Sequence, residues 1–236
     1  MSGFVHEHHR RIVKLLSALD ADLLDRSRCY FGGGTAIVLD HGEYRLSNDV
    51  DFLCADEAGY RDLRQATFFR GIAGLFEGDI REMRETRRDR YGIRTVIEID
   101  GAPIKFEIVS EGRIPLSGAM HPRLGVPVLD TASQMAEKLL ANADRGMDTT
   151  TARRDAIDLG MLLSAHGPLP PNAIERAQKA YGAEIGEAAR KTSRLLNEAE
   201  RPTLARTLGM TREDVDRAAS AFVAETDRVW PDPDNE

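Results

Sequence analysis

The sequence predicts an α+β protein, in which a small mixed β-sheet with flanking helices is followed by an all-α C-terminal part. Segments with the two-residue alternation of strands and segments with helical spacing are interleaved up to about residue 129, and almost everything beyond reads as helix. A chain of 236 residues with 42% hydrophobic and 30% charged content can hold one large globular domain or two modest ones. We therefore expect domains at 1–129 and 130–230, and a frayed tail at 231–236.

The N-terminal elements follow from spacing and turn residues. Apolar residues recur at helical spacing over residues 5–24, which predicts one amphipathic helix. A short apolar strand at 28–31 leads into a glycine turn at 32–34, and a helix at 35–42 ends at a glycine. Residues 49–54 alternate again, as a strand does.

A helix at 60–76 and three further strands complete the predicted sheet region. The strands are expected at 80–90, 93–99 and 102–109. Asp100 and Gly101 form a strong two-residue hairpin signal between the last two strands. Residues 112–130 are rich in turn formers and leave room for one short strand.

The C-terminal part is predicted to be helical throughout. A capping box at 131–134 opens a helix that runs to about residue 142, and a second helix covers 152–165. Prolines within 168–171 mark a break, after which weaker helices fill 172–228.

The composition predicts a cytoplasmic protein that does not enter a membrane. The uncharged run from Cys29 to Leu39 contains three glycines and is shorter than the ~20 apolar residues of a bilayer span. The N-terminus lacks the apolar segment of a secretory signal. Cys29 and Cys54 are too few for a disulfide framework. His6 and His9 supply only two ligands on a helix predicted to be exposed, too few for a metal site.

Charge is distributed unevenly along the chain. A net charge of −7 argues against a surface coated in basic groups for nonspecific nucleic-acid binding. Residues 81–94, the arginine island, nevertheless hold six arginines and three acidic residues. A solvated strand face is the commoner meaning of such a run, and an RNA or triphosphate partner could also use it.

Two aspartates mark the strand at 49–54. Asp49 and Asp51 are two residues apart and therefore project from the same face, while Val50 and Phe52 anchor the other face in the core. Like charges this close are costly unless a cation lies between them. Hard oxygen ligands suit Mg²⁺, which keeps water and substrate phosphates in its other positions. The strand therefore predicts a magnesium site.

The glycine turn and the residues after it suggest a phosphate site. A glycine turn before a helix offers backbone N–H groups to an anion, and Arg45 and Ser47 add a charge and a hydroxyl. A glycine triplet is often only a turn, and a pair of aspartates is often only a solvated strand face. Their order and spacing together indicate metal-assisted phosphoryl chemistry on a nucleoside triphosphate.

Glu107 is the candidate third carboxylate of a two-metal site. It projects from the strand at 102–109 on the face opposite to the apolar side chains. A two-residue loop at 100–101 would place Arg94 opposite Glu107, so a cross-strand ion pair is the competing explanation. Both can hold if Arg94 orients a metal ligand. Glu98 and Asp100 are poorer candidates.

The stretch GGGTAIVLDHGEYRLSNDVDF, residues 32–52, closely resembles a signature of the AbiEii/AbiGii nucleotidyltransferase toxins. That signature joins Gly-Gly-Thr to Arg-x-Ser-x-Asp-x-Asp-Phe. The resemblance continues in the helical half with Lys138 and with RRDAIDL at 153–159, and it covers about residues 30–160. The first motif is fairly specific, whereas the second would be ordinary helix sequence by itself.

The resemblance implies a DNA-polymerase-β-like nucleotidyltransferase domain with a helical partner. It implies that Asp49 and Asp51 bind metal, that Lys138 contacts the nucleotide and that Asp158 gives catalytic support. By the same comparison, phosphate would be held by Gly33, Gly34, Thr35, Arg45 and Ser47. Glu107 departs from the pattern, because such enzymes commonly carry aspartate there.

Taken alone, the helical residues have a plainer explanation. Lys138 and Arg145 share one helix face, and Asp155 and Asp158 share another. Ion pairs between the two helices would account for all four side chains without catalysis.

Three functions remain open at this stage. The first is a Mg²⁺-dependent enzyme that moves a nucleoside monophosphate from an NTP to RNA, such as tRNA. It would act as the toxin of a toxin–antitoxin or abortive-infection pair. The second modifies a small hydroxylated molecule, as antibiotic-modifying enzymes do, and the third is a noncatalytic binding protein that retains the fold. The arginine island favours RNA, the acidic net charge pulls modestly towards a small acceptor, and the intact carboxylates count against the third.

Overall fold

The computed structural model describes residues 3–232 and confirms the predicted α+β class. The chain folds as two compact units. Unit 1 combines the residues up to Leu39 with residues 47–130, and unit 2 combines residues 40–46 with the chain from Thr131 onward. Most of the predicted tail at 231–236 lies outside the described residues.

Unit 1 contains a seven-stranded mixed sheet of order β3-β4-β5-β2-β1-β7-β6. Its strands are β1 (Cys29–Gly32), β2 (Asp49–Cys54), β3 (Arg81–Arg88), β4 (Gly92–Ile99), β5 (Ala102–Ser110), β6 (Gly118–Met120) and β7 (Pro127–Leu129). The β2–β5 and β1–β7 pairs are parallel, and the other neighbouring pairs are antiparallel. The turn-rich stretch at 112–130 thus supplies two short strands instead of the one predicted.

The single N-terminal helix predicted at 5–24 is wrong, because the chain forms two helices there. The helices of unit 1 are α1 (Glu7–Leu16), α2 (Ala21–Arg26), α3 (Gly33–Asp40) and α4 (Glu57–Arg70). Asp20 starts α2 anew, because its side chain accepts the N–H of Leu23 at 2.8 Å. A similar cap at Asp56 starts α4 earlier than predicted, and after Arg70 the chain continues as a 3₁₀ turn.

The aromatic core of unit 1 shows why the strand alternation orients the sheet. Phe31, Phe52 and Phe106 come from β1, β2 and β5 and are at most 1% exposed. The Phe31 and Phe52 ring centroids are 5.4 Å apart, and those of Phe52 and Phe106 are 5.9 Å apart. Burying each such ring stabilises the fold by roughly 1.5–3 kcal/mol. Because these rings fix one face of β2 and β5 in the core, the alternate side chains of both strands face the other way.

Two features set the register of the strands that follow. Asp100 and Gly101 have φ values of 50° and 76°, the left-handed pair that a type I′ hairpin requires. The tight turn places Arg94 opposite Glu107 in β4–β5, as predicted. Register shifts between Glu82 and Arg84, and between Arg84 and Arg87, interrupt the β3–β4 pairing.

Unit 2 is helical, as predicted for the C-terminal part. Its helices are α5 (Thr131–Arg145), α6 (Arg154–His166), α7 (Pro171–Tyr181), α8 (Glu184–Leu195), α9 (Arg201–Leu208) and α10 (Arg212–Val229). The predicted proline break is confirmed, since α7 starts at Pro171. At Gly160 on α6, an added Cβ would lie 2.0 Å from the carbonyl oxygen of Ala218 on α10, so only glycine permits this approach.

The helices of residues 3–232 differ from membrane-spanning segments. None combines the length and the apolar character that a crossing requires.

Candidate functional site

A pocket of about 230 Å³ lies on the face of β2–β5 that carries polar side chains. All of its walls belong to unit 1. It is lined by Asp49, Asp51, Arg84, Arg87, Arg94, Thr95, Lys105, Phe106 and Glu107. The pocket therefore contains all three carboxylates that the sequence nominates for metal binding.

Strand register brings these carboxylates together. Asp49 and Asp51 alternate with buried Val50 and Phe52 on β2, and parallel pairing places Glu107 of β5 beside Asp51. The same register places Lys105 beside Asp49, with Nζ 4.0 Å from Oδ1. The shared face predicted for the aspartates is confirmed, and metal binding by these residues stays a prediction.

Glu107 forms the cross-strand ion pair that the hairpin predicts. Arg94 Nε donates to Glu107 Oε1 at 2.5 Å, and Arg94 Nη1 lies 3.5 Å from Asp89 Oδ2. The side chains of Arg94 and Glu107 are 41% and 34% exposed. A pair this exposed contributes at most about 1 kcal/mol to stability, so a ligand can replace either partner at low cost.

Two further arginines give the pocket a surplus of positive charge. Arg87 on β3 faces Arg94 on β4, and like charges at facing positions destabilise a sheet. Within residues 3–232, neither Arg84 nor Arg87 forms an ion pair, although both line the pocket. The wall contains four cations and three carboxylates in total. This arrangement attracts an anion, which would relieve the repulsion between the arginines.

Sequence reasoning missed several of these cations. It treated residues 81–94 as one island and did not assign Arg84 or Lys105 to the carboxylates. Strand alternation does place Lys105 on the face of Glu107, and only its contact with Asp49 was missed. The two register shifts in β3 remove that periodicity for Arg84 and Arg87.

The glycine turn makes room for the Asp51 carboxylate. Gly33 has a φ of 67°, and a Cβ built on it would lie 2.8 Å from Asp51 Oδ2. Any other residue there would be strained and would displace the carboxylate. Gly33 and Gly34 form the first turn of α3. Phosphate binding by this turn stays a prediction.

Thr35 and Ser47 brace the segment that leads into β2. Thr35 is 1% exposed, and its hydroxyl lies 2.5 Å from the carbonyl oxygen of Asp49, to which it donates. The Thr35 and Ser47 hydroxyl oxygens are 2.7 Å apart. These contacts fix the backbone at Asp49, and phosphate binding by the two hydroxyls stays a prediction.

Two histidines of α1 hold the same segment. His9 Nε2 accepts the backbone N–H of Ser47 at 3.2 Å, and His8 Nε2 lies 3.1 Å from the carbonyl oxygen of Asn48, to which it donates. The expectation of an exposed helix was wrong for His9, which is fully buried. The sequence could have predicted this burial, because His9 lies three residues before Ile12 on the apolar face of the helix.

The remaining predicted residues lie in unit 2, in a buried ion-pair cluster centred on Asp158. Arg45 binds Asp158 in bidentate fashion, with Nε 2.8 Å from Oδ1 and Nη2 2.7 Å from Oδ2. Lys138 Nζ donates to Asp158 Oδ2 at 2.7 Å, and the Tyr44 hydroxyl donates to Oδ1 at 2.7 Å. Asp158 is 0% exposed, and Arg45 and Lys138 are each 5% exposed.

Asp155 extends the cluster between α5 and α6. Lys138 Nζ donates to its Oδ1 at 2.8 Å, and Arg145 Nε donates to its Oδ2 at 2.7 Å. The helix-to-helix ion pairs considered from the sequence are therefore present. The cluster also includes Arg45, which the sequence could not place there. The nucleotide and catalytic roles implied for Lys138, Arg45 and Asp158 stay predictions.

The cluster keeps its members charged despite burial. Burial acts to raise the pKa of Asp158, but Arg45 and Lys138 outweigh it and hold the pKa below the usual range. Burial also raises the pKa of Asp155, and Lys138 and Arg145 reverse that effect. For Lys138, burial lowers the pKa while the two aspartates more than compensate. Each carboxylate therefore stays ionised through its neighbours.

The donor set of unit 1 fits Mg²⁺ as a carboxylate pair. Asp49 and Asp51 offer hard oxygens on one strand face, and the Gly33 turn leaves space at Asp51. Within residues 3–232, no three His, Cys, Asp or Glu side chains are arranged to hold a metal ion together. Magnesium commonly uses one or two protein carboxylates, so the pair suffices, and Glu107 is engaged by Arg94.

Unit 1 thus gathers acidic and basic side chains into one pocket of a mixed sheet, beside a glycine turn that opens a helix. The family model of the AbiEii nucleotidyl transferase toxin of type IV toxin–antitoxin systems matches residues 14–234, and the chain belongs to this family. The chain is thus a nucleotidyltransferase of a toxin family.

Solved structures share the fold at low sequence identity. A candidate nucleotidyltransferase from H. pylori is 16% identical, with a TM-score of 0.50 over 95% of this chain and 97% of that one. JHP933 from Helicobacter pylori is 16% identical, with a TM-score of 0.51 over 95% and 93%. An antigenic nucleotidyltransferase-like protein from Paracoccidioides brasiliensis is 16% identical, with a TM-score of 0.50 over 87% and 93%. A search of curated proteins gave no match.

Proposed function

We propose that this enzyme transfers a nucleoside monophosphate from an NTP to a hydroxyl of RNA, such as tRNA, in a Mg²⁺-dependent reaction. It would act as a toxin that a partner antitoxin restrains. The observation that carries the proposal is the grouping of Asp49, Asp51 and Glu107 on one face of the sheet, inside a pocket with surplus cations. Acidic ligands for a metal and basic ligands for phosphate are the two requirements of nucleotidyl transfer.

The pocket suits the phosphates of the substrate better than the whole nucleotide. Its volume of about 230 Å³ is below the roughly 300 Å³ of small ligand pockets. Arg84 and Arg87 would bind the phosphates, whose charge would remove the repulsion between Arg87 and Arg94. Arg94 could then exchange Glu107 for a phosphate oxygen.

In the proposed reaction, the acceptor hydroxyl oxygen attacks the α-phosphorus of the NTP. The new O–P bond forms as the bond to the α,β-bridging oxygen breaks, and pyrophosphate leaves. The hydroxyl proton passes to a carboxylate oxygen of Glu107 once Arg94 has released it. Asp49 and Asp51 would hold Mg²⁺, which neutralises charge that develops on the phosphates.

RNA is favoured over a small hydroxylated acceptor by the charge on β3. Arg84 and Arg87 line the pocket, and Arg88, the next residue of the edge strand, lies on the opposite face over the Phe68 ring. A polyanion that passes over the edge strand can contact arginines on both faces, whereas a small neutral acceptor cannot.

The experiment is transfer of label from α-labelled NTPs to total RNA in the presence of Mg²⁺. Wild-type protein should label RNA, and Asp49→Asn and Asp51→Asn should each reduce labelling by at least about 1,000-fold, because each removes a metal ligand. The free energy of unfolding should hold or rise, because repulsion between the carboxylates is relieved.

The matched control is Asp227→Asn, an exposed change on α10 that should leave labelling intact. Wild-type labelling in either pocket variant would disprove the metal site. Label on a small acceptor with none on RNA would instead favour the antibiotic-type function.

A further inference from the structure

Two neighbouring phenylalanines at the C-terminal end of α4 face solvent. Phe68 is 66% exposed and Phe69 is 73% exposed. Their rings lie edge to face, with centroids 5.3 Å apart. Isolated exposed apolar residues are common, but two adjacent aromatic rings left in water mark an interaction surface.

An arginine of the edge strand completes this surface. The Arg88 guanidinium carbon lies 5.6 Å from the centroid of the Phe68 ring, within cation–π range. We call Phe68, Phe69 and Arg88 the aromatic platform. A second pair of the same kind lies at the β3–β4 turn, where Arg90 is 4.6 Å from the ring centroid of Tyr91, which is 58% exposed.

The platform is connected to the pocket through β3. Arg87 lines the pocket, and Arg88 is the next residue along the strand. Successive strand residues point to opposite faces, so β3 presents one arginine to the pocket and the next to Phe68. Because β3 is the edge strand, a chain that leaves the pocket can pass over it to reach the platform.

Cations that alternate with aromatic rings fit one class of partner best. Arginines bind the phosphates of single-stranded nucleic acid, and aromatic rings stack on its unpaired bases. In the part of the chain from residue 3 to 232, Arg88 forms no ion pair, and neither does its neighbour Arg87. Double-stranded RNA hides its bases and would leave both phenylalanines without a partner.

We propose that the aromatic platform stacks unpaired nucleobases of the RNA acceptor, so that the acceptor reaches the pocket as a single strand. This inference rests on the proposed function, in which RNA is the acceptor. Stacking tolerates any base, because every base has a π face, so the platform would select for unpaired structure rather than for sequence.

The test uses a single-stranded RNA of about ten nucleotides that carries 2-aminopurine, whose fluorescence falls when it stacks. Wild-type protein should quench it on binding. Phe68→Leu with Phe69→Leu keeps the surface apolar but removes the rings, so quenching should vanish and affinity should fall about tenfold. Phe68→Trp with Phe69→Trp keeps the rings and should retain both signals.

Two controls separate stacking from other effects. Met120→Leu, at an exposed position of β6 that is 47% accessible, should leave quenching and affinity unchanged. The leucine pair should also keep the salt dependence of wild type, whereas Arg88→Gln should reduce the log–log slope by about 0.7. Leucine and tryptophan pairs that bind and quench alike would overturn the platform, and a protein-docking surface would then explain the exposed rings.

Labelling of RNA by wild-type protein is measured in parallel. If wild type labels RNA and the leucine pair quenches normally, only the platform fails. If wild type labels no RNA, the acceptor assignment of the proposed function fails, and the platform fails with it.

Discussion

The pocket of unit 1 and the buried cluster of unit 2 use the same residue types but satisfy their charges differently. In unit 2, Asp158 accepts from two cations and a tyrosine and is fully buried. In unit 1, Glu107 and Arg94 are more than one third exposed, and Arg87 forms no ion pair within residues 3–232. A buried cluster whose charged groups all have partners resists exchange of those partners. An exposed cluster that contains unpaired cations can accept a ligand.

This difference separates residues that hold the fold from residues that are free to act on a substrate. Arg45 and Lys138 could bind a phosphate only by leaving Asp158 buried and uncompensated. Arg84 and Arg87 face no such cost, because an arriving anion improves their surroundings. The three predictions below test this contrast from the largest expected effect to the smallest.

Asp158→Asn should reduce the free energy of unfolding by about 3–5 kcal/mol, because Arg45 and Lys138 would remain buried without their shared counter-ion. Urea unfolding followed by far-UV circular dichroism measures this loss. Asp227→Asn, at an exposed position of α10, is the control and should stay within about 0.5 kcal/mol of wild type. An inactive Asp158→Asn variant of wild-type stability would break the contrast and make Asp158 catalytic.

Glu107→Gln should lower nucleotidyl transfer by at least about 100-fold, because an amide cannot accept the proton, while unfolding free energy changes by at most about 1 kcal/mol. Arg94→Ala should cost activity only moderately, through lost orientation. Glu107→Asp keeps the charge and should retain measurable activity. Steady-state rates and urea unfolding measure the two effects.

Full activity in Glu107→Gln would refute its role and leave it as a structural ion pair with Arg94. The third carboxylate would then have to be sought at Glu98. That residue is held by Arg81 Nη1 at 2.8 Å on the neighbouring strand.

Acid should destabilise the protein partly through the buried cluster. The pKa values of Asp155 and Asp158 are lowered in the folded state, since their cations outweigh the effect of burial. Below about pH 4 these two carboxylates bind protons in the unfolded chain but stay ionised in the folded chain. Their contribution to the free energy of unfolding is therefore complete above that pH and decreases below it. The loss is at most about 1.4 kcal/mol per pH unit for each carboxylate.

Urea unfolding between about pH 6 and about pH 3 measures this slope, and Asp158→Asn serves as the comparison because it lacks one of the two groups. The variant should show a shallower dependence below about pH 4. Equal slopes in both proteins would mean that the cluster contributes nothing to acid sensitivity.

Short-range patterns predicted the carboxylate face of the pocket well. Asp49 and Asp51 follow from the strand alternation around Phe52, and the Asp100-Gly101 turn fixes the contact of Arg94 with Glu107. Both arguments need only the pleat of a strand and the geometry of one turn. Both predictions can therefore be made without knowledge of the whole fold.

Contacts that depend on irregular or distant structure could not be predicted. The register shifts of β3 cancel the alternation that would have placed Arg84 and Arg87. The break between α1 and α2 comes from one cap at Asp20 inside a helical pattern of apolar residues. Arg45 meets Asp158 across 113 positions of sequence, a distance over which no local pattern carries information.

That last contact has a consequence for synthesis and for cutting the chain. Residues 40–46 belong to unit 2 but are synthesised before most of unit 1. The ion pair between Arg45 and Asp158 can therefore form only after Asp158 has left the ribosome. Closing so long a loop costs entropy, so we expect residues 40–46 to join the helices of unit 2 late in folding. A fragment that begins at Thr131 would lack Tyr44 and Arg45, so that Lys138 alone among the cations of the cluster would contact Asp158. Neither unit can therefore be released intact by a single cut.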